Sequence, residues 1–216
     1  AEYLLTSIKL FDDAAPARGV VDGPPDADGI VRRVPLSIIA GETTIAGFAL
    51  QIANMTSGHG SPEWTEEGLK LGETIIPSDT QANLEFKMTP RWDANVITAL
   101  DVLNGKFNVE EMRGKAVIVG FGATGTTDIV ATPVASEMQG TLVQAQAVDA
   151  ILNGHWLSRP AWAQALEFAF ALVLVAMLLA AGLGLAKWLF VPAGVLAAAL
   201  PIASFAAYDS AGLLID

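Results

Sequence analysis

FAFALVLVAMLLAAGLGLA, from Phe168 to Ala186, is followed by a single lysine and then by WLFVPAGVLAAALPIASFAAY, from Trp188 to Tyr208. Neither stretch carries a charge, and they run 19 and 21 residues. About 20 apolar residues span the ~30 Å hydrocarbon layer of a bilayer, so each is long enough to cross one. A pair of core helices in a soluble domain would keep a polar outer face, which these stretches lack. They read as a transmembrane hairpin whose tip is Lys187. Pro160 suits the first turn of the first helix, with Ser158 as its N-cap. Trp156, Trp162 and Trp188 lie near the span ends, where indole rings favour the headgroup layer. Pro192 falls in the first turn of the second helix, and Pro201 kinks it in mid-span. The positive-inside rule is expected to place Lys187 at the tip in the cytoplasm and the acidic domain before the spans outside. Glu167 is the costly residue of the first span: it either snorkels to the interface or pairs inside a bundle.

Composition agrees with this division. The chain has 216 residues, 52% of them hydrophobic and 16% charged, with a mean hydropathy of +0.46. Its formal net charge is −11. Eleven of the 12 basic and 20 of the 23 acidic residues precede residue 160. An acidic chain without a basic cluster repels phosphate backbones, which sets nucleic acid aside as a partner. Cysteine is absent, which excludes disulfides, thiolate metal sites and a cysteine nucleophile. The chain starts at Ala1 without an initiator Met and stops within an apolar stretch, so we read it as part of something longer.

Residues 1–159 alternate helix and strand signals. Tyr3–Leu10 reads as a short strand, Phe11–Arg33 as loop and Val34–Ile39 as a strand. Phe48–Met55 is an amphipathic helix expected to pack on a sheet. Trp64–Leu71 reads as helix or turn, and Glu73–Pro77 and Ala82–Met88 as short strands. Asn95–Asn104 is a helix closed by Gly105. Lys115–Gly120, with Val117, Ile118 and Val119, is expected to be a buried central strand. Thr141–Leu152 is helical, with Leu142, Ala145, Val148 and Leu152 as its apolar face and Gly154 as its stop. Asp149 lies at the edge of that face and needs water or a polar partner. The expected fold is α/β, a mostly parallel or mixed sheet with flanking helices, followed by the hairpin. The expected division is an extracytoplasmic domain over 1–159, helices over 160–186 and 188–208, and the start of a third span over 209–216.

Gly120-Phe121-Gly122-Ala123-Thr124-Gly125 matches G-x-G-x-x-G after a strand signal. A dinucleotide turn requires a helix opening at the third glycine, whereas Thr126-Thr127-Asp128 and the β-branched run Ile129–Thr132 follow. The alternative is a tight loop where glycines allow close backbone approach. Asp26-Ala27-Asp28-Gly29 has the opening of a calcium loop, but Arg32, Arg33 and Val34 occupy later ligand positions and Ser37 replaces the closing Glu. An Asx turn that pairs Asp26 or Asp28 with Arg32 explains it better. His59 and His155 are isolated, and no metal site, cofactor or catalytic constellation is expected.

Several blocks together resemble one family. Asp26-Ala27-Asp28-Gly29-Ile30-Val31-Arg32 is similar to the D-x-D-G-x-x-R segment of the second CHASE-type sensor domain, the cyclase- and histidine-kinase-associated sensory extracellular domain. Asp101–Gly105 and Arg113–Gly120 resemble its "DVL-G … GK-V-VG" blocks. Gly125, Asp128, Thr132 and Pro133 resemble "G-x-x-D-x-x-x-TP". Met138, Gly140 and Ala145 resemble "M-x-G-x-x-x-x-A", and Leu152, Gly154, Leu157, Arg159 and Pro160 the "L-x-G-x-x-L-x-RP" run into the first span. Gln144 and Gln146 depart from it, standing where the family often has His and Asn, so no polar site is assigned to this helix. The family's amino-terminal half is taken to lie outside the chain.

The resemblance implies the sensing and membrane-anchoring part of a bacterial receptor in the inner membrane, multi-pass, with residues 1–159 periplasmic or extracellular. A nucleotide cyclase, histidine kinase or Ser/Thr kinase would follow as cytoplasmic output. The expected partners are the lipid bilayer, an extracytoplasmic ligand or protein, and a second copy in a homodimer. The surface expected to bind a ligand or to shape the loop comprises Asp26, Asp28, Arg32, Gly120, Gly122, Gly125, Asp128 and Thr132. The rival reading is a membrane-anchored enzyme that binds a nucleotide at Gly120–Gly125. The two diverge at one point: a helix from Gly125 favours the enzyme, and an extended chain through Thr132 favours the sensor.

Overall fold

The computed structural model describes residues 7–215 except 22, 24, 42, 67, 91–95 and 123–127. It divides into two compact units, Ala1–His155 and Trp156–Asp216.

The first unit opens with helix α1 (Lys9–Ala14). Lys9 and Leu10, expected in a strand, are therefore helical, and Lys9 pairs with Asp13 one turn on. Residues 3–6 of that expectation lie outside the described residues. The run expected as one strand over Val34–Ile39 is two, β1 (Arg33–Pro35) and β2 (Ser37–Ala40). Leu36 between them is fully buried, and the chain changes partner there. Strand β2 forms a hairpin with β3 (Thr43–Ala46), while β1 pairs with the later strand β7 (Asn83–Glu85). Helix α2 (Phe48–Ser57) follows β3 directly and ends at Gly58, whose φ of 69° permits the left-handed stop.

Trp64–Leu71, expected as helix or turn, is instead β4 (Glu63–Thr65) and β5 (Gly68–Leu71), joined by β6 (Thr74–Ile76) into a three-stranded antiparallel sheet. The alternation in this stretch explains the difference, because Leu69 and Leu71 are buried while Lys70 between them is exposed. Helices α3 (Ala99–Leu103) and α4 (Val109–Met112) come next. Thr98 caps α3 by accepting from the Asp101 N–H, and Gly105 follows at φ 68°.

The strand expected over Lys115–Gly120 is absent. Val117 is 57% and Val119 92% exposed, and no ladder includes them among the described residues. A β-branched run reports a preference for extended chain, but a ladder partner is what converts that preference into a buried strand. The unit instead closes with the hairpin β8 (Ile129–Thr132) and β9 (Ala135–Gln139), which leads straight into α5 (Gly140–Asn153).

Helices and strands thus interleave, followed by two apolar helices. The ladders are antiparallel, and within the first unit parallel pairing takes the form of isolated bridges, Val20 with Gly47 and Ile30 with Ala131. Helix α2, expected to pack on a sheet, has α5 as its main packing partner. Ala49, Leu50 and Ala53 are buried on one helix, Val143, Ala147 and Ile151 on the other. The buried face of α5 is rotated from expectation: Leu152 is exposed, whereas Val143, Gln144 and Gln146 are buried. Two glutamines there removed the apolar signal that marks a core face. Gln146 accepts from the Thr89 N–H at 2.8 Å, and Gln144 donates to the Val21 carbonyl at 2.9 Å while its own Oε1 is buried without a partner. Leu36, Leu50, Leu69, Ile76 and Leu84 anchor the core. Each is worth up to about 3 kcal/mol of burial.

In the second unit α6 (Ala161–Gly182) and α7 (Phe190–Ala211) form an antiparallel hairpin through Gly184, at φ 76°, and a 3-10 turn over Lys187–Leu189. Each helix has 22 residues and is about 33 Å long at 1.5 Å per residue, enough for a bilayer. Their buried residues are Ala163, Ala181 and Ala193, so the leucine, valine and phenylalanine faces point outward. Pro160 is itself the N-cap of α6, in place of Ser158, whose backbone is used elsewhere. Pro192 stands in the first turn of α7, and Pro201 stands inside it.

Candidate functional site

The expected site residues fall into two groups. The first grows from a local turn. Gly29, at φ 80°, lets its N–H reach the Asp26 carbonyl at 2.8 Å, and the Asp28 carboxylate accepts from the Ile30 N–H at 3.1 Å. The resulting Asx turn points Asp26 and Asp28 toward Arg32. The Arg32 guanidinium holds Asp28 with two donors, at 3.0 and 2.7 Å, and Asp26 with one at 2.8 Å.

Three residues not expected from the sequence extend this network. Arg33 on β1 donates to Asp79 at 3.0 Å and lies 3.4 Å from Asp26. Its Nε is buried without a hydrogen bond. The Asp79 carboxylate also accepts from the N–H groups of Gln81 and Asn83, each at 2.8 Å, and from the Asn83 side chain. Glu85 stands opposite Arg33 in the β1–β7 ladder. The sequence held one signal for them: arginine and glutamate inside otherwise apolar strands need partners.

These contacts set the charge states. The hydrogen bond from Arg32, helped by the Ile30 N–H, lowers the Asp28 carboxyl to about 2, and the same pairing raises Arg32 further above its ordinary range. Burial pushes against the ionised forms of Arg33 and Asp79. The hydrogen bond to Asp79 outweighs it for Arg33, and those from Asn83, Gln81 and Arg33 outweigh it for Asp79, so both stay charged. Glu85 is raised, chiefly by burial.

Asp28 and Asp79 bind fewer protons folded than unfolded. Their stabilisation is complete above about 4 and is lost as pH falls through the lowered values. Glu85 has the opposite sign: its contribution is present below its ordinary 4.5 and is lost as pH rises through its raised value. Melting of the chain in detergent should therefore drop as pH is taken from about 4 toward about 2. Glu85→Gln should raise the neutral-pH midpoint and leave the acid one unchanged; a midpoint that does not move at neutral pH refutes the Glu85 assignment.

The second group surrounds the start of α5. The Asp128 carbonyl accepts from the Gly140 N–H at 3.0 Å, and its carboxylate accepts from the Thr141 hydroxyl at 3.3 Å. A carboxylate at a helix N-terminus is stabilised by the helix dipole. A side chain on Gly140 would overlap this carboxylate, and one on Gly120 would overlap Thr141. Gln139 donates to the Gly122 carbonyl at 2.9 Å. Thr132 is buried and exchanges two hydrogen bonds with Ala135 across the Pro133–Val134 turn. Asp128 therefore bonds with Thr141, and Thr132 is occupied elsewhere. Gly125 and Thr126 lie outside the described residues.

One bridge joins the groups. Ile30 pairs with Ala131, and the Val31 N–H donates to the Ala131 carbonyl at 2.8 Å. The Asp26–Arg32 turn thus runs beside β8, but no side-chain hydrogen bond links it to Asp128 among the described residues. The chain after Asp128 is extended through Thr132, which leaves no room for the helix that a dinucleotide fingerprint needs there. No cluster of three or more metal-ligating side chains occurs among the described residues.

A family model described as the CHASE2 domain matches residues 4–184. No curated protein and no solved structure matches the chain. The family match runs from ahead of the Asx turn into α6, and with it the chain belongs to the CHASE2 domain family, the extracellular sensor domains of signalling receptors.

Proposed function

We propose that the chain is the stimulus-sensing and membrane-anchoring part of a bacterial receptor of the inner membrane, with Lys187 cytoplasmic and a nucleotide cyclase or protein kinase as output. The observation that carries this reading is a sensory family domain that continues directly into two apolar helices of bilayer length. The ligand-facing surface comprises Asp26, Asp28, Arg32, Gly120, Gly122, Gly125, Asp128 and Thr132, and the receptor acts as a homodimer. A ligand biases output only through its different affinity for two receptor states, so a turn whose three charged side chains hold one another is a suitable element to disturb.

The absence of cysteine makes the test clean. Lys106→Cys and Lys187→Cys are made separately, and intact cells are treated with an impermeant maleimide. Labelling is expected at position 106 from outside, and at 187 only after permeabilisation; labelling of 187 from outside overturns the orientation. In cells carrying the complete receptor, Arg32→Ala should change cyclic-nucleotide or phosphoprotein output on the order of fivefold, the lower end of ordinary coupling between sites. Unchanged output at equal membrane abundance removes this surface from the reading.

A further inference from the structure

The four residues that lead into α6 are tied down twice within the second unit. Arg159 donates to Glu167, two turns into α6, at 2.6 Å. Ser158, one residue earlier, is bridged in parallel to Leu213 beyond the end of α7. The Ser158 N–H donates to the Gly212 carbonyl at 2.9 Å, and the Leu214 N–H to the Ser158 carbonyl at 2.9 Å. The approach depends on Gly212. It sits at φ 63°, where the chain reverses out of α7, and a Cβ there would lie 2.6 Å from the Trp156 carbonyl oxygen. Leu157 is buried beside it. After the reversal the chain runs back along α7, where the Ser204 hydroxyl donates to the Ile215 carbonyl.

This pattern has a mechanical consequence. In a simple hairpin, a pull on the chain before α6 would reach the chain after α7 only through both helices and the tip. Here it reaches both at once, through an ion pair on one side and a two-bond backbone bridge on the other. We propose that Trp156–Arg159 is a transmission joint: displacement of this linker is delivered simultaneously to the top of α6, through Arg159 and Glu167, and to the chain leaving α7, through the Ser158–Leu213 bridge. The proposal rests on the receptor reading, because it supplies that reading with its route from the outer domain to the membrane. It also gives Glu167 a role as the anchor of the linker. Coupling between two segments is reciprocal, so loosening either end must loosen the other.

The test uses the whole chain in lipid nanodiscs and amide hydrogen exchange. Gly212→Ala should open the bridge and raise exchange at the Ser158 amide roughly tenfold, the scale set by losing one or two backbone hydrogen bonds. Ser158→Pro removes the donor to Gly212 and should raise exchange at the Leu214 amide by a similar factor. The Gln51 amide in α2 should stay unchanged in both and reports that the first unit remains folded. As a check independent of folding defects, the pair Ser158→Cys and Leu213→Cys should oxidise to a disulfide within one chain, and less so with Gly212→Ala added. In the complete receptor, Gly212→Ala should shift cyclic-nucleotide or phosphoprotein output at unchanged membrane abundance. Exchange that rises only in the altered segment, a cysteine pair that does not close within one chain, or output indifferent to an opened bridge overturns the joint. Labelling of Lys187→Cys from outside would overturn the receptor orientation and leave the exchange and disulfide results standing, so the two failures are distinguishable.

Discussion

Gly47→Ala is expected to lower the stability of the first unit by about 3 kcal/mol, a large part of an ordinary domain's margin. Gly47 is the N-cap of α2 and the pairing partner of Val20. Its N–H donates to the Leu36 carbonyl at 2.7 Å, and its carbonyl accepts the first helical bond, from Gln51. A methyl group at this position would overlap the Pro35 carbonyl oxygen. The obstacle is the Pro35–Leu36 backbone itself, and the neighbouring chain is as closely packed, since a side chain on Gly19 would meet the Phe48 Cα at 2.6 Å. No rotamer change relieves a backbone collision, so β1, β2 and the start of α2 must separate, and buried hydrogen bonds go with them. Gly29→Ala is the control. Gly29 has a φ of 80° but nothing within contact of an added Cβ, so it should cost only about 1 kcal/mol, the penalty of a left-handed alanine. Thermal or denaturant unfolding of the two variants in detergent distinguishes them. Equal, small losses would show that Gly47 has room.

Asp79→Ala is expected to cost about 2–3 kcal/mol and to loosen the charged network under the Asx turn. One carboxylate there serves the Gln81 and Asn83 N–H groups, the Asn83 amide and Arg33. Its loss leaves Arg33, whose Nε already lacks a hydrogen bond, with the Asp26 carboxylate at 3.4 Å and Glu85 across the ladder as its remaining acidic neighbours among the described residues. A half-buried cation left without its hydrogen-bonded partner costs more than the bonds removed, although water reaching the exposed part of the pair limits the loss. Asp79→Asn keeps an acceptor for the turn and loses the charge, so it should fall between wild type and alanine. The order wild type, asparagine, alanine in melting midpoint is the result to look for. Asparagine equal to wild type would show that the turn, and not the ion pair, is what Asp79 supplies.

The candidate site was legible where it is local. The bonds of Asp26, Asp28 and Arg32 lie within six residues, and glycine at position 29 with two aspartates before it is enough to specify the turn. Arg33 and Asp79 meet across 46 residues, and that pairing depends on β1 finding β7. Asp128 meets the Thr141 hydroxyl at the start of α5 only because the β8–β9 hairpin brings the chain back to it.

Composition alone was sufficient for the two long apolar helices, because hydropathy and length are properties of a segment and not of its neighbours. Helices α2 and α5 were equally visible, since periodicity and a terminal glycine act within a few residues. Ladder partners were not. The apolar run at Val117–Val119 meets every local criterion for a buried strand, yet Val117 and Val119 stand in solvent, while the less apolar Asn83–Glu85 pairs with β1. The face that α5 buries was likewise decided by what packs on it, with Gln146 accepted in the core because the Thr89 N–H reaches it. The Ser158–Leu213 bridge belongs to the same class, as no local preference of either segment names the other. Local propensities are set by a residue and its near neighbours, whereas long-range pairing is set by which closures of the chain leave the fewest buried polar groups unsatisfied, and only the folded chain contains that information.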